Sequence, residues 1–412
     1  MSASLDSDRS IEEATKIRNL TVLHVGHEVK KVLVGSSNLR QVLRSGFDDI
    51  TLQMRALRSY EGKVALPESY STVFVAVFDA AWDLDGSGNA CLAAFLSTFL
   101  FDSMTPLWSA LVACGQHLLA IHVWTAILRL AHEWERRSGK TTHKGSPYAF
   151  LAYTYLMMGN FDAAFAYIYN AIEEDRRLGR ACPKISYPAQ APVYRTATLS
   201  DDPHNIMYSD VSVIRSAIET EIKTYRRVFG SSFSMQDFDA RFLRNPDLEV
   251  VAFFFVFAYW SIVEHRERIG NDLMRNDFSR LKNAQRLFAL CLVIDQLLHE
   301  HPSYTGASIR KEIRNFVEKQ GLMTRTSFDA LLKDENVARA DPDCLLPSIL
   351  SQSLTHDGKP VRKEVQYLLA AWKLRNFAAH NIQTQRVIGE DFDRIVSVLL
   401  DDVFLILEEY PP

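Results

Sequence analysis

Apolar positions recur every three to four residues through most of this chain, the period of helices that bury one face. From about Pro106 the pattern divides cleanly. Leu107 to Leu119 and Ile121 to Arg137 each carry a helical stripe, and Ser138-Gly139 closes the second. Tyr148 to Asp175 reads as two helices around the turn Gly159-Asn160-Phe161-Asp162. Ala152 lies on the first helix, and Ala164 and Ala171 on the second, where short side chains let two backbones approach. Pro183, Pro188, Pro192 and Pro203 then mark a polar loop over about 180–205. Helices are predicted to resume at Val211 to Phe229 and Pro246 to Ile269.

The last third reads as a bundle. Leu281 to His299 places Leu287, Leu290, Cys291, Ile294 and Leu298 on one stripe. Ser308 to Lys319 is shorter and stops at Gly321, and Thr326 to Leu332 and Pro347 to Leu354 are short pieces. Pro360 suits the first turn of a helix, where its missing N–H is not needed. That helix carries Val361, Val365, Leu368, Trp372 and Ala379 toward the interior. Glu390 to Glu409 closes the chain with Phe392, Ile395, Val396, Leu399, Val403, Phe404 and Leu407 inward. Before residue 106 the pattern is ambiguous, since Leu20 to Val25 and Lys31 to Gly35 fit strands or parts of one helix. The expected fold class is mainly α. Three regions follow: 1–105 of uncertain fold, a helical domain over 106–275, and a helical bundle over 278–412.

Composition narrows the function classes. The chain has 412 residues, 47% of them apolar, and a net charge of −4. Its surface as a whole therefore does not attract nucleic acid, and any such contact needs a local basic patch. Cys91, Cys114, Cys182, Cys291 and Cys344 form no Cys-x-x-Cys pair, which argues against a structural zinc and for a reducing compartment. Met1 to Glu13 is polar and acidic, unlike a signal peptide. The apolar run Val250 to Val263 falls short of the ~20 residues of a bilayer span. A cytoplasmic protein without a membrane contact is expected.

The densest chemistry lies in Lys373-Leu374-Arg375-Asn376-Phe377-Ala378-Ala379-His380-Asn381. A guanidinium grips phosphate oxygens with a planar fork of donors, and a neutral imidazole accepts a proton near pH 7. Spacing alone cannot select this cluster. Arg18 with His24, and Arg136 or Arg137 with His143, match it equally well. Context does select it. Asn376 and His380, four apart, share a face that Lys373 extends with positive charge, at the end of a helix whose other face is apolar. Arg375 reaches toward the same groove. The competing structural reading has Arg375 and His380 capping the helix.

Other candidates are weaker. Asp83-Leu-Asp85-Gly-Ser87 begins like a calcium loop, but Ala94 stands where the bidentate Glu is required. Arg136 to Thr142 imitates the end of a P-loop, with Trp134 replacing its first glycine. Val32 to Asn38 could be a strand entering a phosphate-binding turn. His299 and His301, two apart on a helix, point away from each other and do not suit a metal. Arg310, Lys311 and Arg314 form a solvated face that could track an RNA backbone.

Arg375-Asn376-x-x-x-His380, late in a C-terminal helical bundle, resembles the signature of the HEPN superfamily, many of whose members are RNases. Leu322 to Leu332, ahead of the motif helix, is similar to that family as well. The resemblance covers about a third of the chain. It implies that Arg375, Asn376 and His380 are catalytic, with Lys373 and Asn381 beside them as substrate contacts. It implies a homodimer through the C-terminal bundle with two motifs on one cleft. Cleavage would need no cofactor and no metal, driving the ribose 2′-hydroxyl onto its own phosphodiester to give a 2′,3′-cyclic phosphate and a 5′-hydroxyl. An effector role in a toxin or antiviral system is implied on the same ground. Tyr148 to Asp175 resembles a tetratricopeptide unit, which implies a helical-repeat-like middle region that binds a protein partner or a small-molecule regulator. The alternative from a different class is a non-catalytic dimeric scaffold.

Overall fold

The computed structural model describes residues 108, 111–112, 115–139, 141–178, 191–203, 205, 207–269, 277–304, 306–338, 340–380 and 385–411. The ambiguous region 1–105, with its calcium-like and phosphate-turn candidates, lies outside them. Among the described residues the fold is mainly α, with one two-stranded hairpin. The chain divides into two compact units at Tyr194 and Arg195.

In the first unit, α1 (His117–Ser138) ends where Gly139 turns left-handed at φ +67° and donates its N–H to Glu135 O. The P-loop-like stretch is therefore a helix cap. Helices α2 (Gly145–Met157) and α3 (Phe161–Arg177) form the expected hairpin. Gly159 makes the turn at φ +70°, and Asn160 accepts from Ala163 N–H to start α3. Ala152, Ala164 and Ala171 are fully buried, so small side chains bring the helices together. Lys144, buried, bridges Glu135 at 2.6 Å and Glu174 at 3.0 Å. His143 pairs with buried Asp175 at 2.7 Å, while Arg136 and Arg137 pair with Glu133. The rival Arg–His spacing in this region is thus consumed by ion pairs.

The second unit joins helices that the sequence pattern assigned to different regions. Helices α4 (Tyr208–Phe229) and α5 (Glu249–Ile269) pack with α6 (Asp277–Glu300) and the terminal helix. The Pro-rich loop also differs from expectation, since Ala191–Ala197 is helical. Pro192 sits in its first turn, where a missing N–H is harmless. The helical segment Pro246–His265 spans 20 residues, so length by itself does not exclude a membrane span. Most of it is buried inside the unit.

Around α6 the remaining elements are α7 (Ile309–Lys319), α8 (Arg325–Leu331), α9 (Pro342–Leu350), α10 (Lys363–His380), α11 (Arg386–Glu390) and α12 (Phe392–Leu407). Thr324 and Asp341 cap α8 and α9 with side-chain oxygens. Asp341 with Pro342 starts α9 five residues earlier than expected, and Pro347 is tolerated inside it. Pro360 does not open a helix. It pairs with Thr355 in a hairpin of β1 (Thr355–His356) and β2 (Lys359–Pro360), turned by Asp357 and Gly358 at φ +50° and +72°. The final helix behaves as its stripe predicts. Phe404, fully buried, meets Tyr225, Phe233 and Phe238 at ring distances of 5.6–5.8 Å. Asp401 and Asp402 are carried inward with it. Burial pushes the Asp401 carboxyl up to about 8 and Asp402 well above the carboxylate range.

Candidate functional site

Helix α10 is packed against α6, α7, α9 and α12, which explains its composition. Val365 to Ala371 are buried without interruption, so the helix is covered on every side there rather than on one stripe. Gln366 tolerates this by donating to Val361 O at 2.7 Å. Trp372, expected inward, is partly exposed, because the covering thins toward the C-terminal end. Leu374 is buried again, and Arg375, Asn376 and Phe377 then emerge half-buried. Of residues 378–380 only the backbone is described. His380 is the last residue of α10 and shares a helical register with Asn376. Asn381 lies outside the described residues.

Arg375 is tethered lightly. Its Nη2 stands 3.4 Å from Asp295 Oδ2 on α6, and its Nε has no hydrogen-bond partner. The two side chains are 34% and 14% exposed. Burial raises the Asp295 carboxyl above its ordinary range, and the guanidinium only partly offsets this. A closed pair in the same unit looks different. Arg215 meets Asp239 with two nitrogens, at 2.9 and 2.5 Å. The Arg375 Nε is buried, so what remains for an anion is the solvent-facing end of the guanidinium.

Lys373 is placed elsewhere. Its Nζ donates to Val337 O and Ala338 O, both at 3.3 Å, at the end of the short helix Glu335–Ala338. A cation there complements the helix dipole, and burial lowers the ammonium's affinity for its proton. The structure thus couples Lys373 to backbone carbonyls and leaves Arg375 as the accessible cation of the pair.

Three residues that sequence reasoning did not select stand next to Arg375. They are Asp295, His299 and Glu312. Asp295 lies one helical turn before His299, and His299 Nδ1 is 3.1 Å from Glu312 Oε1. The signal was present, since Cys291, Asp295 and His299 recur at intervals of four along one face of α6. Cys291 is fully buried, and its thiol is pushed up by burial and by the Asp402 carboxylate. His301, in contrast, stacks on Tyr304 at 4.3 Å and contacts Glu409 O at 3.3 Å, so it diverges from His299 as expected. Among the described residues no His, Cys, Asp and Glu group is arranged to hold a metal. Of the basic face on α7, Arg314 pairs with Asp329 at 3.4 Å, and Arg310 and Lys311 are exposed.

Comparisons with protein-family models, curated proteins and solved structures return no match to this chain.

Proposed function

We propose that the C-terminal helices form a metal-independent endoribonuclease of HEPN type that works as a homodimer. The observation that carries this reading is the half-exposed Arg375, held by one amino group at the end of a buried helix, in register with Asn376 and His380. In the proposed reaction His380 accepts the proton of the ribose 2′-hydroxyl as its oxygen attacks phosphorus. The P–O5′ bond breaks, and the 5′-oxygen takes a proton from an acid of the paired site. Arg375 stabilises the charge that builds on the non-bridging oxygens. Asn376 orients the phosphate or the imidazole, and Asn381 adds a substrate contact. Two copies across a twofold axis supply base, acid and cation together. The helical hairpin of the first unit, with its likeness to a tetratricopeptide, is assigned to a protein partner or a small-molecule regulator. The cytoplasm and a toxin or antiviral effector role complete this reading.

The test is cleavage of an RNA pool in EDTA by wild-type protein and by the Arg375→Ala and His380→Ala variants. Products ending in 2′,3′-cyclic phosphate, lost in both variants while sedimentation still reports a dimer, support the nuclease. Equal cleavage by the His380→Ala variant removes His380 from the mechanism. A second reading, the non-catalytic dimeric scaffold, is favoured by the contact of Arg375 with Asp295, which is also what a structural ion pair provides. A dimer without activity on any RNA selects that reading.

A further inference from the structure

The polar string that begins at Arg375 continues to solvent. Asp295 and His299 stand one helical turn apart on α6 and reach α10 and α7 respectively. Glu312 on α7 is 1% exposed and is surrounded by donors. His299 Nδ1 lies 3.1 Å from its Oε1, and the Gly306 N–H donates to the same oxygen at 3.3 Å. A side chain would crowd that approach. A Cβ on residue 306 would stand 3.0 Å from Lys311 Cβ and 3.1 Å from Glu312 Cγ.

A second histidine–carboxylate pair, one of several among the described residues, shows what a purely structural arrangement looks like. His143 and Asp175 are 9% and 0% exposed, and the pair is sealed. In the His299 pair the carboxylate is equally buried, at 2%, but the imidazole is 56% exposed. Its second ring nitrogen makes no hydrogen bond among the described residues. Glu312 thus fixes the ring and favours its protonated form, raising its pKa, with smaller support from Glu300 and Asp295. An oriented imidazole facing water, one helical turn from the aspartate that holds the Arg375 guanidinium, offers a second donor to an anionic strand.

We infer that His299 is a second phosphate contact of the Arg375 site, donating from its free ring nitrogen to the phosphate neighbouring the one that Arg375 holds. The inference rests on the nuclease reading for its ligand, an RNA strand, and extends it to a substrate-binding residue outside the motif. His299 is here a binding residue and takes no part in the proton transfers. The charged groups around it are Glu312 on α7, Asp295 and Glu300 on α6, and Arg375 on α10 beyond Asp295.

The experiment compares full-length wild-type protein with the His299→Ala and His299→Lys variants on a short oligoribonucleotide. It also measures binding of the same strand carrying a 2′-deoxy sugar at the scissile position, by fluorescence anisotropy. His299→Ala is expected to raise KM and the Kd of the uncleavable strand about tenfold, with kcat within about twofold of wild type. The gap should close as pH rises through the imidazole titration, and His299→Lys should restore binding and remove that pH dependence. Unchanged KM, Kd and pH profile in His299→Ala, while Arg375→Ala abolishes cleavage, overturns this inference alone. A wild type that cleaves nothing but binds the uncleavable strand about tenfold better than His299→Ala removes the nuclease reading and keeps the phosphate contact.

Discussion

Arg215 meets Asp239 with both terminal nitrogens and gives Leu199 O a further hydrogen bond at 3.2 Å, whereas Arg375 touches Asp295 once, at 3.4 Å. Both lie in the second unit, both are partly buried, and both partners are aspartates. The difference is how much of the guanidinium is used up. A fork with its donors committed fixes two elements together and offers nothing to a ligand. A fork held at one corner keeps its direction and leaves part of the guanidinium facing solvent. Residue identity alone does not distinguish these roles; geometry does.

The comparison can be broken in several ways. The largest effect is expected from Arg375→Ala and His380→Ala, each lowering RNA cleavage by about a hundredfold or more. Urea unfolding of these variants should stay close to wild type. Arg215→Ala should do the reverse, costing about 2–3 kcal/mol of stability because it leaves Asp239 and Leu199 O without their donor. Cleavage per folded molecule should be unchanged. If Arg215→Ala leaves the urea midpoint in place, the contrast drawn here is wrong.

A third test concerns the carboxyls on α12. Asp401 holds its proton up to about pH 8 in the fold, against roughly 4 when unfolded. The folded state therefore binds the extra proton. The stabilisation is complete below the unfolded value and is lost as pH rises through about 8. The free energy of unfolding should fall by at least ~1.4 kcal/mol, the worth of one pKa unit, between pH 5 and 8. Asp401→Asn should flatten that slope. The smallest effect is expected from Asp295→Asn, which relieves a buried carboxylate while loosening one long contact. Its unfolding free energy should lie within ~0.5 kcal/mol of wild type, and Asp239→Asn should lose clearly more.

The sequence stripes located helices well wherever one face is apolar and the other wet. Phe392 to Leu407, Val211 to Phe229 and Pro246 to Ile269 match within a few residues, as does the glycine stop after α1. Patterning failed where burial is not one-sided. Val365 to Ala371 is buried around its whole circumference, so reading a stripe through Val361, Val365, Leu368 and Trp372 sent Trp372 to the wrong environment. Pro360 misled because an X-Pro step suits a strand end as well as a helix start. Which helices share a core depends on contacts far apart in sequence, such as Tyr225 with Glu408 at 2.8 Å, and periodicity carries no trace of these. In the candidate site the order Arg375, Asn376, His380 stands out in the sequence by itself. Asp295, Glu312 and Gly306 do not, since each matters only through a neighbour distant along the chain.

The all-round covering of α10 sets how this protein could be controlled. A helix enclosed over seven successive positions, Val365 to Ala371, resists rolling or sliding against its neighbours. An effector cannot work by rotating the shaft. On the proposed reading, a switch would press on the final turn, from Arg375 onward, where half-buried side chains replace buried ones.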